Sequence, residues 1–417
     1  MDEVVRLREP NRKQSILQAV DLDRLIAEEH SARAIWRVLE ELDLSRFCAE
    51  IKAREGVAGR DATDPRMLLA LWLYAISQGV NSAREIARLC EAHAAYRWIC
   101  GGVGVNYHTL SDFRSAHQAA LDELMSNLLA ALIKRRLVRL YRVAQDGTRV
   151  RASAGASSFR RKPSLQRCLS EARTHIQELQ RAAVPAAAQR EQAARTRAAS
   201  EYEERCRRAL TEFEQLSEHK AQAKNHPQRR AEVRASTTDP QARVMKMADG
   251  GYRPAYNLQL ATDTESRMIV GVKVSNSGVD SQQLTPMLQE IQRRTGQAPT
   301  QHLADGGYLN FQAIEAAAAH GIEVFAPLRK HRGYRDPHLA RPRDSSAIAD
   351  YRQRMGSEQG KQIYRERAAT AETVNADLKT WRGLDRLLVR GLNKVLSVTL
   401  LGALTYNLLR AIKLGWL

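Results

Sequence analysis

Between residues 165 and 183 the apolar side chains Leu165, Leu169, Ala172, Ile176, Leu179 and Ala183 fall at alternating spacings of four and three. After Pro185, the run Tyr202, Cys206, Ala209, Phe213 and Leu216 resumes that spacing. Such a pattern keeps one stripe of a helix against a partner helix, and a proline interrupts it. The natural reading is an antiparallel helical hairpin. Strand-like patterns flank it on both sides, so any sheet this chain builds must accommodate a helical excursion between its first two strands. A solvated hairpin, a subunit contact and a DNA clamp all fit it.

Residues 1 to about 137 read as helices. Asp64-Pro65 precedes an apolar stripe, Ser82 and Glu85 form a capping-box pattern, and Thr109 and Ser111 stand before a long helix through Leu132. Arg84, Arg88, Arg97 and Arg114 could bring two short helices into a DNA groove, and a bundle with a solvated basic face fits them equally. From 138 to 144 the pattern alternates and runs into Asp146-Gly147-Thr148, a strand delivering an Asp to a turn.

Beyond the hairpin, 255–263 and 268–274 predict a β-hairpin, and Asp280 caps a helix through about Arg294. A short strand then ends at Asp305-Gly306-Gly307-Tyr308, followed by a helix over 311–320, a strand over 322–327, and helix from about Gln359 onward. This order predicts an α/β chain preceded by an all-α N-terminal domain: a mixed sheet with a helical insertion at about 160–235, in an RNase H-like order that is, on order alone, one of several α/β candidates. The expected division is a helical DNA-binding or assembly domain over 1–137, a catalytic domain over 138–382, and a helical tail over 383–417.

Lys and Arg number 65 against 47 Asp and Glu, a formal charge of +18, which attracts polyanions such as DNA. Aromatics at 6% disfavour a binder that stacks single-stranded bases. Cys48, Cys90, Cys100, Cys168 and Cys206 form no Cys-x-x-Cys pair, so reduced, packed thiols are expected rather than disulfides or structural zinc. Met1 leads into Asp2, Glu3, Arg6, Arg8 and Glu9 with no secretory pattern, and the apolar stretch 395–409 contains Asn407 and reads as a buried or interface helix. A cytoplasmic protein without a membrane partner is expected.

Cleaving a phosphodiester requires an activated water and stabilisation of a departing oxygen, both of which carboxylate-held divalent ions supply. Asp146, at a predicted strand end, is one candidate ligand. A second is complicated by a repeat, because Ala-Asp-Gly-Gly-Tyr occurs at 248–252 and again at 304–308. Asp305 follows a strand and precedes a helix, where sheets present ligands, so it is preferred over Asp249. Glu372 is the third, sharing a helical polar stripe with Asn375 and Lys379. Each has an ordinary explanation: a turn Asp, or a solvated salt-bridge face.

As an ordered set, Asp146-Gly147-Thr148, Ala304-Asp305-Gly306-Gly307-Tyr308, and Tyr364-x-x-Arg367 running into Glu372 and Lys379 resemble the DDE transposases of bacterial insertion sequences. Within them the chain is similar to the group with a Tyr, Arg, Glu, Lys signature, in its IS-eleven-eighty-two-like branch. Residues 236–240, 246–257 and 389–392 support the likeness, as do 82–98 and 109–114. The resemblance implies that Asp146, Asp305 and Glu372 hold Mg²⁺, with Mn²⁺ able to substitute. It further implies that Tyr364, Arg367 and Lys379 hold transposon-end phosphates; the helical stripe itself adds Asn375 as a DNA-contacting amide. The implied partners are double-stranded DNA (terminal inverted repeats and target) and a second copy of the chain, in a bacterial, nucleoid-associated setting. One departure is visible: four residues separate Arg367 from Glu372 where the commonest signature has three, and on a regular helix Arg367 points away from the Glu372 face. A catalytically inactive DNA-binding relative and an RNase H-like nuclease without strand transfer are the other readings.

Overall fold

A mixed sheet of six strands organises the middle of the chain, and helices cover it. The computed structural model describes residues 13, 15, 19–49, 51–53, 61–182, 185, 188–222, 233–328 and 336–416. Ala183 and the charged residues Asp2, Glu3, Arg6, Arg8 and Glu9 lie outside them. The strands are β1 (Arg142–Arg151), β2 (Phe159–Arg160), β3 (Ala235–Ser236), β4 (Arg243–Lys246), β5 (Tyr252–Asp263), β6 (Ile269–Ser275), β7 (Gln301–Leu303) and β8 (Glu323–Phe325). β5 lies antiparallel to β1, and its other edge takes β4 along one half and β6 along the other, both antiparallel. On the far side of β1, β7 and then β8 run parallel to it. β2 and β3 form a separate two-stranded ladder at the root of the helical hairpin.

The first strand differs from its expected position. Leu140 adopts a φ of 58° and Arg136 one of 60°, left-handed conformations that break the chain after the preceding helix and delay the strand to Arg142. The strand then continues through Asp146 to Arg151, so Asp146 is paired inside a strand opposite Leu260 rather than in a turn. The hairpin expected over 255–263 and 268–274 is present as β5 and β6, with β4 an addition that its four-residue length concealed.

The heptad region folds into two long helices, Lys162–Arg181 and Gln189–Gln222. Leu165, Ala172, Ala199, Cys206 and Ala209 are buried along their contact, and Arg173 pairs with Glu203 across it. Residues 31–134 contain only helices among the described elements. Asp64 caps the helix Pro65–Ser77 by accepting from Arg66 N at 2.7 Å. Ser82 caps the helix Ala83–Ala92, while Glu85 turns to Arg88 instead of completing the capping box. The helix foreseen after Thr109 begins earlier, at Tyr107, capped by Asn106, and ends at Ala116; a second helix, Gln118–Lys134, follows. Arg114 is unavailable to a DNA groove. It is buried against the Trp72 ring, donates to Asn81 O at 2.8 Å, and is pushed down to about 10 by burial.

The C-terminal part is not one continuous helix. Helices Ser346–Gly356 and Glu358–Arg367 lead into a segment through Trp381, residues 382–391 are irregular, and the helix Leu392–Lys413 closes the chain. This last helix is long and apolar enough to span a membrane, but most of it is buried against the N-terminal helices and β6. Its N-terminal amides are satisfied from a distance: Asp239 Oδ1 accepts from Gly391 N at 3.2 Å and from the Tyr256 hydroxyl at 2.8 Å, and Gln241 Oε1 accepts from Leu392 N at 2.9 Å. Asn407 serves the free edge of β6, donating to Ile269 O and accepting from Ile269 N, both at 2.8 Å. Asn407→Leu therefore leaves both backbone groups unpaired in a buried site. It should cost on the order of 2–4 kcal/mol in urea unfolding, against near-neutral effects for exposed polar substitutions on the same helix.

Candidate active site

β1 and β7 set the geometry. Their parallel register pairs Arg142 with Gln301, Val143 with His302 and Ala144 with Leu303, and continuing it brings residue 305 level with residue 146. β7 ends at Leu303, so Asp305 leaves the sheet beside a strand that carries on. Successive side chains of β1 point to opposite faces: Gln145 binds the carbonyl of Gln283 ahead of the helix Leu284–Thr295, and Asp146 meets the Glu372 segment. Asp305 is held in a tight turn, its Oδ1 accepting from Gly307 N at 2.6 Å. The repeated pentapeptide has the same local bond, Asp249 Oδ1 to Gly251 N at 3.0 Å, but sits at the exposed tip between β4 and β5. There Asp249 pairs with Arg253, which holds its carboxyl below the usual range. The structure thus brings Asp305, and not Asp249, to Asp146.

The Asp146 side chain is 19% exposed. Burial lifts its carboxyl to about 6, with the Asp305 charge adding to the rise and the Arg367 guanidinium opposing it. Asn375 Nδ2 donates to Asp146 Oδ2 at 3.1 Å, which leaves Asn375 Oδ1 buried without a partner. Arg367 lies between two carboxylates, with Nη1 3.7 Å from Asp146 Oδ2 and Nη2 3.0 Å from Glu372 Oε1. Its guanidinium also sits 5.9 Å from the centre of the Tyr364 ring.

This placement of Arg367 reverses the regular-helix expectation, and the backbone supplies the reason. Residues Ala368–Glu372 and Asp377–Trp381 are π-helical, flanking the short α-turn Thr373–Ala376. Thr370 Oγ1 bonds back to Glu366 O and Thr373 Oγ1 to Ala369 O, contacts that accompany a widened turn. A π turn sets residues five apart over one another, so the extra residue between Arg367 and Glu372 is absorbed and the two side chains meet. Lys379 lies half-buried in the second π segment. The segment is fixed at both ends. Arg142 of β1 reaches Glu366 at its start. At its end Arg382 pairs with Asp377 at 2.9 Å and donates to Ser77 O of the N-terminal helices at 2.8 Å. Gly383 has a φ of 66° there, and a Cβ on it would lie 2.9 Å from Gly79 O.

Oxygen donors predominate, as a hard divalent cation requires. Asp146 and Asp305 side by side call for positive charge, which Arg367 supplies in part, and the orphaned Asn375 oxygen lies close by. Among the described residues no three His, Cys, Asp or Glu side chains stand ready around one point. Glu372 is turned onto Arg367, but at 58% exposure its side chain can rotate. The set fits a divalent ion once that ion pair opens.

Sequence reasoning missed the polar layer behind Asp146. His302 is fully buried and pushed down to about 3 by burial, hence neutral, with Nε2 2.9 Å from Gln145 Oε1. Gln145, Asn257, Gln259 and Tyr308 continue this layer, together with Asp280, which does not cap the helix Leu284–Thr295. The available signal was Asn257 and Gln259 at alternate positions of an apolar strand, two amides on one face needing partners.

Residues 224–408 match the family model described as Transposase DDE domain, and residues 20–116 match that described as Transposase domain (DUF772). Asp305 and the segment from Tyr364 to Lys379 fall within the first match, and Asp146 lies between the two. Together the matches indicate a DDE transposase family. No curated protein matches the sequence and no solved structure matches the fold.

Proposed function

We propose, from the premise of a DDE transposase family, that this chain is the transposase of a bacterial insertion sequence. It would cut phosphodiesters at terminal inverted repeats and join the freed ends to target DNA. The observation that carries the reading is that Asp146 in β1 and Asp305, just past the end of the adjacent parallel β7, fall at one level, with Arg367 linking Asp146 to Glu372. Strand order supports an RNase H-like catalytic domain over about 138–382: a central first strand, the antiparallel β5 on one side with β4 and β6 on its far edge, and the parallel β7 and β8 on the other. Residues 1–137 would then serve DNA binding and assembly, with the helix of 383–417 seated on them.

Asp146, Asp305 and Glu372 would hold Mg²⁺ or Mn²⁺, which when bound supplies charge stabilisation at the phosphoryl oxygens. The chain's own side chains do the rest. Asn375 orients the Asp146 carboxylate, and Tyr364 supports the plane of Arg367. On leaving Glu372, Arg367 would take a DNA phosphate as a two-pronged donor, with Lys379 as a second cation. Cutting two ends together calls for at least a dimer on DNA, in the bacterial cytoplasm at the nucleoid. The resemblance of its signature residues favours the IS-eleven-eighty-two-like branch.

The test is incubation with DNA carrying both flanked element ends, a plasmid target, and Mg²⁺ or Mn²⁺. Free 3′-hydroxyl ends followed by joined products are expected. Cutting that never yields joined products would leave a nuclease, and binding without cutting under every metal condition would leave an inactive DNA-binding relative.

A further inference from the structure

Behind the two aspartates lies a buried polar cup that the proposed chemistry does not use. Asp280 Oδ1 accepts from Asn257 Nδ2 and from Gln259 Nε2, both at 2.7 Å. With its nitrogen so held, the Gln259 amide turns its oxygen the other way. There Oε1 accepts from the Tyr308 hydroxyl at 2.5 Å and from Gln145 Nε2 at 3.0 Å. Tyr308 is 1% exposed and closes the turn that carries Asp305: its N–H donates to Asp305 O at 3.1 Å while Gly307 N donates to Asp305 Oδ1. The cup also abuts the backbone next to Asp146. A Cβ on Gly147 would collide with Gln259 Nε2 and lie 2.9 Å from both Asn257 Oδ1 and Asp280 Oδ1.

The repeated pentapeptide provides an internal comparison. Tyr252 stands where Tyr308 does in the motif but is 70% exposed, and the Asp249 turn is joined to the sheet by the backbone of Tyr252 in β5. A buried tyrosine is therefore not what Ala-Asp-Gly-Gly-Tyr needs in order to make its turn. The buried Tyr308 hydroxyl finds its acceptor in Gln259, whose amide is oriented by Asp280 at its nitrogen and by Gln145 at its oxygen.

We propose that Asp280 is a positioning residue that sets Asp305 against Asp146, acting through Gln259 and the Tyr308 hydroxyl. The inference rests on the reading of Asp146 and Asp305 as metal ligands. It assigns Asp280 no contact with substrate or ion. Supporting groups behind the ligands, linked to them by hydrogen bonds, keep carboxylates within the narrow range of positions that binding tolerates.

The experiment uses the full chain with Asp280→Ala, Tyr308→Phe, the double variant, Asp280→Asn, and Tyr252→Phe as control. Three quantities are read: Mn²⁺ affinity of the DNA-free protein by calorimetry, single-turnover cleavage of a flanked end, and affinity for that DNA. Asp280→Ala and Tyr308→Phe should each weaken Mn²⁺ binding and slow cleavage by about 10–100-fold, with DNA affinity unchanged. The double variant should be no worse than the more severe single, because both act along one path. Asp280→Asn keeps an acceptor oxygen and should recover most of the loss, and Tyr252→Phe should match wild type. Folded variants with wild-type Mn²⁺ affinity and rate, or losses that multiply in the double variant, would overturn the proposal. Should Asp280→Ala fail to fold, Tyr308→Phe alone decides. A wild type that binds Mn²⁺ but cuts nothing would sink the transposase reading, and the Mn²⁺ affinities would still decide the role of Asp280.

Discussion

Asp305→Asn should abolish metal-dependent cleavage, by on the order of a thousandfold or more, whereas Asp249→Asn should leave the rate within about twofold. The two substitutions fall in identical pentapeptides, and both remove one charge while keeping an oxygen that can accept from the second glycine. The turns should survive, so only the destination of each charge differs. Asp305 stands level with Asp146, where its charge adds to the larger effect of burial in pushing the Asp146 carboxyl up. Asp249 stands at a hairpin tip, its charge spent on Arg253 in an ion pair whose side chains are 51% and 38% exposed. Pairs that open to solvent contribute little to stability, so the Asp249 variant should also melt close to wild type. Single-turnover cleavage of a flanked end, with DNA affinity measured alongside, reads the difference. Equal losses in both variants, or loss only in Asp249→Asn, would remove Asp305 from the site.

How much of this could be read beforehand depends on the range over which each feature is determined. Asp305 was legible because a short apolar strand, a Gly-Gly turn and a helix follow one another locally, and that order places a side chain at a sheet end. Asp146 was found for a reason that the structure corrects. Asp-Gly looks like a turn, yet here Gly147 lies inside a strand, and a glycine stands there because the Gln259, Asn257 and Asp280 cup leaves no room for a Cβ. That cup joins residues more than a hundred positions apart, and no local pattern announces it. Asp280 illustrates the same limit: an Asp shortly before a helix reads as a cap, and only the folded sheet shows two amides waiting for its carboxylate. The π turns around Glu372 were likewise out of reach, since Ala368-Ala369-Thr370-Ala371 is compatible with an ordinary helix. Their effect could still be sensed as the odd spacing between Arg367 and Glu372. The basic residues were the least legible, because a sequence cannot tell the buried Arg114 from an exposed neighbour.

Asp146→Asn should eliminate cleavage and at the same time stabilise the metal-free protein at pH 8, a combination that a purely structural aspartate would not give. The Asp146 carboxyl is raised by burial from 3.8 to about 6, so the folded chain binds its proton more tightly than the unfolded chain does. A raised folded-state pKa contributes stability that is complete below the unfolded value and is lost as pH rises through about 6. At pH 8 the carboxylate is ionised in a site that disfavours it, at a cost of up to about 3 kcal/mol. The amide variant removes that cost and leaves Asn375 with a hydrogen-bonding neighbour. Wild type should therefore lose stability between about pH 4 and pH 6 relative to the variant, and the two should converge below about pH 4. Adding Mg²⁺ or Mn²⁺ at pH 8 should close the gap from the other side, raising the melting temperature of wild type and leaving the variant where it was. Melting curves across pH, with and without metal, would check this. A variant that melts below wild type at pH 8 without metal would mean that Arg367 and Asn375 already compensate the Asp146 charge, and that this carboxylate is built for an ion pair rather than for a metal.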